Sequence, residues 1–425
     1  MRAKLAQNPL AVIFFTVFID LIGFGILIPI VPLLVASPSS SFYLLPKGFT
    51  VQQGYILLGF LTAIYPLMQF FATPILGQFS DQFGRKKLLA LSIFGTSISY
   101  ALFAIGIFTK NLPLLFASRA FAGLTGGNIA IAQAAVADVT TPQNRAKNFG
   151  LIGAAFGLGF IVGPFLGGKF ADPSFVSWFN ATTPFWFASI LSLLNGLSVV
   201  FLFPETLKVR TVRQPIHLAQ SVKNIIRAYS EKHLRILFLT NFLFWSGFSF
   251  FITFFSVFLI KRFGFNQSNI GDLFAYFGLW VVFVQGFLVR RISRIFGEAQ
   301  VLRFTFVFTG IGILLYFLPQ IWWQLLIVSP FVAIPNGLTQ ANLPGLISRS
   351  ADSNIQGEVL GINSSLQALA QAIFPLLSGF LAAKLSPEGS IFVAGILVIF
   401  TGIFFTFFYK PHITHSYEVG SSKRG

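Results

Sequence analysis

The sequence predicts an all-α membrane protein of twelve transmembrane helices in two pseudo-symmetric six-helix bundles. Composition is the first reason: of 425 residues, 55% are hydrophobic and 10% charged. With a mean hydropathy of +0.78, that is too apolar for an ordinary soluble domain. The second reason is the length of the apolar runs. A helix needs about 20 such residues to cross a bilayer, and runs of that size lie near 10–35, 55–79, 88–108, 112–138, 146–170, 183–203, 234–260, 268–289, 300–318, 323–348, 357–383 and 390–409. The third is an internal repeat. At an offset of about 211 residues, Gly126, Gly150, Pro164 and Gly168 recur as Gly337, Gly361, Pro375 and Gly379. At a slightly larger offset, Ser80, Phe83 and Gly84 recur as Ser293, Phe296 and Gly297. A repeat of that period implies two copies of one six-helix unit.

The net charge of +17 reflects topology and does not call for a nucleic-acid partner. With the N-terminus in the cytoplasm, 22 of the 29 Lys and Arg fall on that side, six on the other, and only Arg119 lies well inside a span. That bias follows the positive-inside rule and predicts two cytoplasmic termini. The chain divides into a first bundle (1–203), a cytoplasmic linker (204–233), a second bundle (234–409) and a cytoplasmic tail (410–425). The first apolar run is too long for a cleaved signal peptide and lacks a small-residue cleavage pattern. With no Cys, disulfides and thiolate metal sites are excluded. His217, His233, His412 and His415 all fall outside the spans, so no metal site is expected. No nucleophile-base-acid arrangement is visible, so no catalytic residue is expected either.

Span one carries Asp20 about ten residues in, close to the membrane middle at about 1.5 Å per residue. A carboxylate at that depth is neutral, paired or hydrated, and each condition permits proton exchange as access changes. The plainer role is a hydrogen bond between helices. Span two carries Gln69 and runs into Gly77-Gln-Phe-Ser-Asp81-Gln-Phe-Gly84-Arg85-Lys86-Lys87, read as a compact inner loop. Gly84 permits a tight turn. Asp81 can bind a neighbouring helix N-terminus, and Arg85 can reach an acid at a nearby helix end, for which Asp138 is the candidate. Gly77, Asp81, Gly84, Arg85 and Asp138 thus form a conformational latch able to hold two halves together in one state and release them in the other.

Span four places Arg119 among apolar residues and follows it with Gly123, Gly126, Gly127, Asn128 and Gln133. An arginine there is costly in hydrocarbon and should face the interior or water; its plainer role is a tether to Asp20 or to helix carbonyls. Span five carries Gly159, Gly163 and Gly167 at four-residue spacing, with Pro164 and Gly168 interleaved. Three glycines on one face let another helix approach at backbone contact. The basic linker follows, with a short helix able to lie on anionic lipid. The second half carries amides inside its spans: Asn241, Gln285, Asn336, Gln340, Asn342, Gln367 and Gln371. With Trp245 and Phe374 nearby they suit an apolar cavity with a few polar anchors. Gln69, Asn128, Asn241, Trp245, Asn336, Gln340, Gln367 and Gln371 are the cavity candidates.

Several of these motifs carry a family resemblance. Gly77 to Lys87 resembles the signature loop between helices two and three of the major facilitator superfamily. Arg119 with Gly123 resembles its fourth-helix motif, and Gly153 to Gly168 its antiporter motif in helix five. Pro204-Glu205-Thr206 fits the place after helix six. With Asp20 nine residues before Pro29, and Ala-Asp138-Val-Thr-Thr-Pro-Gln-Asn-Arg145, the first 206 residues resemble the tetracycline-efflux-like branch of the twelve-helix drug:proton antiporters. In the second half the resemblance is topological. Tetracycline carriers generally hold a further carboxylate there; here none lies in 303–319, and Asp272 sits at the outer end of span eight.

The resemblance implies a proton-driven exporter of small amphipathic molecules working by alternating access. Asp20 and Arg119 would couple the proton, and no cofactor beyond the proton gradient is implied. Its partners would be a small-molecule substrate, protons and the lipid bilayer, and it would act as a monomer in a bacterial cytoplasmic (inner) membrane. The alternative within transport is an uptake symporter for a nutrient or metabolite. The alternative from another class is a non-transporting receptor or scaffold, against which Asp20 and Arg119 argue, since binding alone needs no buried charge pair.

Overall fold

A computed structural model describes residues 9–141, 144–207, 217, 219–230, 234–351 and 356–410. Among them every regular element is helical. The first half comprises α1 (Pro9–Val35), α2 (Val51–Phe83), α3 (Arg85–Phe108), α4 (Leu112–Thr125), α5 (Asn128–Val139), α6 (Arg145–Phe170) and α7 (Thr183–Leu202). The linker contributes α8 (Gln220–Ser230). The second half comprises α9 (Arg235–Phe263), α10 (Gln267–Phe283), α11 (Val289–Phe296), α12 (Glu298–Leu315), α13 (Gln324–Arg349), α14 (Gln356–Lys384) and α15 (Pro387–Phe408). His233, His412 and His415 lie outside the described residues, as do 208–216 of the linker and the tail beyond 410.

Eleven helical segments among the described residues are long and apolar enough to cross a membrane, with α4 and α5 counted as one span and α10 continuing to Ile292. The expected tenth span, α13, has 26 residues but also Pro330, Pro335, Pro344, Asn336, Gln340 and Asn342, which lower its apolarity. It is held by protein: its Gly337 sits against Val281 and Val284, and Phe331 of α13 covers Gly312 of α12.

Two expectations are corrected. The stretch from Gly77 to Phe83 is the last part of α2, so Asp81 stands on a helix. The chain breaks only at Gly84, whose φ of 104° lies where side-chain-bearing residues are disfavoured. The fourth span is not one helix. It breaks at Gly126-Gly127, where two adjacent glycines each cost about 1 kcal/mol in a helix interior. A π-turn, Val284–Leu288, interrupts the eighth span in a similar way.

The halves meet where α2 packs on α14 and α6 on α10. At one end this seam is tight. A Cβ on Gly168 would lie 2.5 Å from the Gln267 carbonyl, one on Gly271 2.6 Å from that of Pro164, and one on Gly59 2.5 Å from that of Pro375. At the other end, where α8 lies, Gly77, Gly150, Gly153, Gly286 and Gly361 have no neighbour within 4 Å of an added Cβ. We call these the far face and the linker face. The seam is closed at the first and open at the second.

The linker helix bridges the open end. Ser221 donates to the Phe70 carbonyl of α2, Asn224 Nδ2 lies 3.1 Å from Ser365 Oγ of α14, and Arg227 pairs with Glu358. Its buried residues Ser221, Asn224 and Ala228 therefore face the two halves, while Ile226 and Tyr229 stay exposed.

Candidate functional site

Asp20 is half-buried on α1, and its Oδ1 accepts a hydrogen bond of 2.7 Å from Asn128 Nδ2. Asn128 is the first residue of α5, directly after the break in span four. Its Oδ1 accepts the Ile129 backbone N–H at 2.9 Å, one of the donors that a helix N-terminus leaves free. With the oxygen so engaged, the amide must present its NH2 to Asp20. The break is itself held from α2, since Gln69 Nε2 donates to the Gly126 carbonyl at 2.7 Å and lies 3.2 Å from Tyr65 Oη.

Arg119 is 6% exposed and lies over the Tyr65 ring, 4.5 Å from its centroid. Among the described residues it makes no hydrogen bond and no ion pair within 4 Å. Tyr100 closes the group by packing on Gly23, one turn beyond Asp20. Asp20, Asn128, Gln69, Tyr65, Arg119 and Tyr100 thus form one polar cluster inside the first half. Gln69 and Asn128, expected in a substrate cavity, belong to the surroundings of Asp20.

The glycine ridge of α6 supports this cluster. An added Cβ on Gly159 would lie 2.5 Å from Leu21 Cβ, on Gly163 2.7 Å from the Ile22 carbonyl, and on Gly167 2.7 Å from the Ile26 carbonyl. All three press on the turns of α1 that follow Asp20. Gly168 faces the other way, onto α10, as does the Pro164 carbonyl, while the Pro164 ring lies against Gly25 of α1. One helix therefore touches the Asp20 helix on one side and the second half on the other.

The latch residues converge at the linker face. Arg85 is 7% exposed; its Nη1 lies 2.6 Å from Asp81 Oδ1 and 2.6 Å from Ser80 Oγ, and its Nε 3.0 Å from Asp138 Oδ2. Thr206 also donates to Asp138 Oδ2, at 3.2 Å. Glu205 accepts the backbone N–H groups of Arg85 and Lys86 at 2.9 and 3.3 Å, so a carboxylate caps the N-terminus of α3. An added Cβ on Gly77 would meet nothing within 4 Å, and Gly84 lies against the Glu205 carboxylate. These partners all belong to the first half. In this conformation the charges tie its helices to one another, and no described residue of the second half joins them.

The second half supplies amides of two kinds. Asn241, Asn336 and Asn342 are buried: Asn241 Nδ2 reaches the Asn363 carbonyl at 3.3 Å and Asn342 Nδ2 the Leu338 carbonyl at 2.8 Å. Asn336 Oδ1 has no hydrogen-bond partner among the described residues. Gln340, Gln367 and Gln371 are half-buried and make no hydrogen bond among the described residues. Amides in that condition need water or a ligand. Trp245 packs edge-on against Phe244 and Phe248, and Phe374, one turn from Gln371, meets Phe242 and Phe250.

Sequence reasoning missed three features. Tyr65 and Tyr100 were overlooked, although Tyr65 stands four residues before Gln69 and so shares its face. Glu205 gave no hint of capping a helix 120 residues away. Lys169 pairs across the seam with Asp272 at 2.9 Å and Ser268 at 2.7 Å, which gives the lone acid of span eight a partner.

The Major Facilitator Superfamily profile matches residues 13–296 and again 237–424. The tetracycline resistance protein, class H, of Pasteurella multocida is 30% identical over 380 residues, covering 88% of this chain and 89% of that one. Multidrug resistance protein 2 of Bacillus subtilis (strain 168) is 28% identical over 372 residues, 86% of each chain. Among solved structures, the human organic anion transporter MFSD10 (TETRAN) superposes with a TM-score of 0.71 at 24% identity, covering 94% of this chain and 99% of that one.

Proposed function

Because this chain belongs to the Major Facilitator Superfamily, we infer that it is a proton-coupled secondary transporter exporting small amphipathic molecules by alternating access. The observation that carries the reading is Asp20, half-buried on α1, bound to Asn128 at the break in span four and backed by the α6 ridge. A carboxyl so placed can lose or regain a proton while its hydrogen-bond partner stays fixed. The helix that backs it also forms the seam that must open and close.

We place the linker face in the cytoplasm, as the excess of Lys and Arg on that side favours. The conformation described then opens inward. Substrate enters between the halves and meets the unengaged amides Gln340, Gln367 and Gln371, while Asp20 releases its proton inward. Outward opening separates α2 from α14 and α6 from α10 at the far face, releases substrate and returns a proton to Asp20. Coupling requires only that proton and substrate each shift the same equilibrium in opposite directions. The proton gradient drives the cycle, and no bound cofactor is needed. We further propose a monomer in a bacterial cytoplasmic membrane, with drug-like amphiphiles as the substrate class.

The deciding experiment measures dye or drug efflux from cells producing wild type or Asp20→Asn, with and without collapse of the proton gradient. Asp20→Asn should reach the membrane and lose gradient-driven efflux. Full efflux by that variant at a set gradient overturns the coupling site; accumulation in place of efflux by wild type overturns the direction.

A further inference from the structure

Given the export reading above, we propose that the open cavity takes its substrates sideways out of the linker-face leaflet, through the gap between α6 and α10, and that Gln285 at the head of this gap is the first polar group to bind them. Toward the far face α6 and α10 touch turn after turn. An added Cβ on Gly168 would meet the Gln267 carbonyl, on Gly271 the Pro164 carbonyl, on Gly278 the Ile161 side chain, and on Gly157 both Val282 Cγ2 at 3.0 Å and Gln285 Oε1 at 3.4 Å. Past that point Gly153, Gly150 and Gly286 meet nothing within 4 Å, so the two helices part at Gly157 and Gln285. From Gly157 to the linker-face end of α6 at Arg145 is about 18 Å at 1.5 Å per residue. One leaflet of hydrocarbon is about 15 Å deep, half of a core of about 30 Å, so the gap runs through that leaflet. The matching gap between α2 and α14 is covered. Ser221 and Asn224, one turn apart on α8, reach the Phe70 carbonyl of α2 and Ser365 of α14, and Arg227 pairs with Glu358. This helix packs on α2, α14 and α9, which leaves the gap between α6 and α10 as the side way in.

Gln285 is built for contact with a solute. It stands in the π-turn Val284–Leu288, a form that helices adopt rarely and often at functional sites. It is half-buried and makes no hydrogen bond among the described residues, so its NH2 and its oxygen both await a partner. Its oxygen lies toward Gly157 of α6, on the side of α10 that carries Gly271, Gly278 and Val282. Its neighbours Val281 and Val284 pack on Gly337 of α13, one turn before Gln340. Gln285 therefore stands between the gap and the unengaged amide of α13. The walls select what passes. Neither Gly150 to Gly168 on α6 nor Leu273 to Val289 on the other side holds a charged residue. A solute soluble in the leaflet can travel between such walls with its apolar part in lipid, whereas a strongly hydrated one would have to shed its water without compensation. The substrate class that fits is a lipid-soluble amphiphile with at least one hydrogen-bonding group.

Because the chain has no cysteine, single thiols test the entrance directly in the full-length protein reconstituted in vesicles. Pyrenyl maleimide dissolved in the bilayer should label Gln285→Cys about tenfold or more faster than Ser365→Cys, which lies under α8 in the covered gap. The lipid-soluble dye Hoechst 33342 should slow the labelling of Gln285→Cys about threefold, and should do so equally when Asp20→Asn is added, since entry needs no proton coupling. Equal labelling of the two thiols, or labelling of Gln285→Cys that the dye does not slow, would overturn the entrance. Gln285→Leu keeps the bulk and removes the hydrogen bond, so in dye efflux its KM should rise about fivefold with kcat nearly unchanged. A fall in kcat at constant KM would instead make Gln285 a structural residue and overturn its binding role. Failure of the export reading shows separately, as equal dye efflux by wild type and Asp20→Asn, while the labelling rates still decide the entrance.

Discussion

Asn128 Nδ2 and Asp20 Oδ1 lie 2.7 Å apart although 108 residues separate them in the chain. The contact exists because span four breaks one residue before Asn128, which puts a side-chain amide where an unbroken helix would run on. Removing the amide by Asn128→Ala leaves Asp20 without its only hydrogen-bond partner among the described residues. Hydrogen bonds to charged groups are worth about 1.5–3 kcal/mol, so gradient-driven export should fall about tenfold or more. Because Asp20 survives in this variant, its export should still respond to pH. Export measured over a pH series separates this from Asp20→Asn, whose residual transport should not vary with pH.

The break is itself held by Gln69, which donates to the carbonyl of Gly126. Gln69→Leu keeps the bulk and loses the donor, so a part-buried carbonyl goes unsatisfied at a cost of about 1–3 kcal/mol. Thermal unfolding of the purified protein should show that loss. The same variant should export more slowly, since the position of Asn128 depends on the break. Unchanged stability would mean that the glycines alone hold the kink.

These two contacts mark how far the sequence could be read. Asp20 and Arg119 stood out because a charge in hydrocarbon is costly and therefore rare, and the spans because a bilayer fixes their length. The Gly126-Gly127 pair was visible as small residues, but a glycine pair reads equally well as a packing face, and its partner Gln69 is 57 residues away. Tyr65 and Tyr100 raised no flag, since a phenol in an apolar run resembles the many phenylalanines around it. Lys169 and Asp272 each looked like an interfacial charge at a helix end, and only the packing of α6 on α10 brings them together. Asp81 and Arg85 were legible as a pair four residues apart, yet their tie to Ser80, Asp138 and the neighbouring Glu205 cap depends on how α2, α3 and the segment after α7 meet.

The ridge of α6 predicts two opposite outcomes for similar substitutions. Gly163→Ala puts a methyl 2.7 Å from the Ile22 carbonyl and 2.8 Å from Gly25 Cα, and overpacking of this kind costs about 1–3 kcal/mol. It should lower thermal stability and export together. Gly153 has open space around it in this conformation, so Gly153→Leu should leave stability near wild type. If the linker face closes during transport, the added side chain obstructs that closure and export should drop sharply. A stable, fully active Gly153→Leu would argue that α6 does not close there.

Lys169 and Asp272 bond across the far face, and the pair is present only while that face is shut. Both side chains are partly exposed, 23% and 47%, so the bridge contributes no more than about 1 kcal/mol. That still moves an equilibrium between inward- and outward-open forms about fivefold. Asp272→Asn should therefore populate the outward-open form more, Lys169→Asp more again because two acids then face each other, and the exchange Lys169→Asp with Asp272→Lys should restore the wild-type balance. The chain has no cysteine, so Ser256→Cys provides a single reporter without background. Ser256 is 1% exposed and donates to the Ile28 carbonyl across the seam, and a thiol there becomes reachable only when the halves part. Labelling by a membrane-impermeant maleimide from outside should rise in the order wild type, Asp272→Asn, Lys169→Asp, and return to the wild-type rate in the exchanged pair. A Lys169→Asp rate equal to wild type would mean that glycine packing alone, at Gly59, Gly168, Gly271 and Gly379, keeps the far face closed.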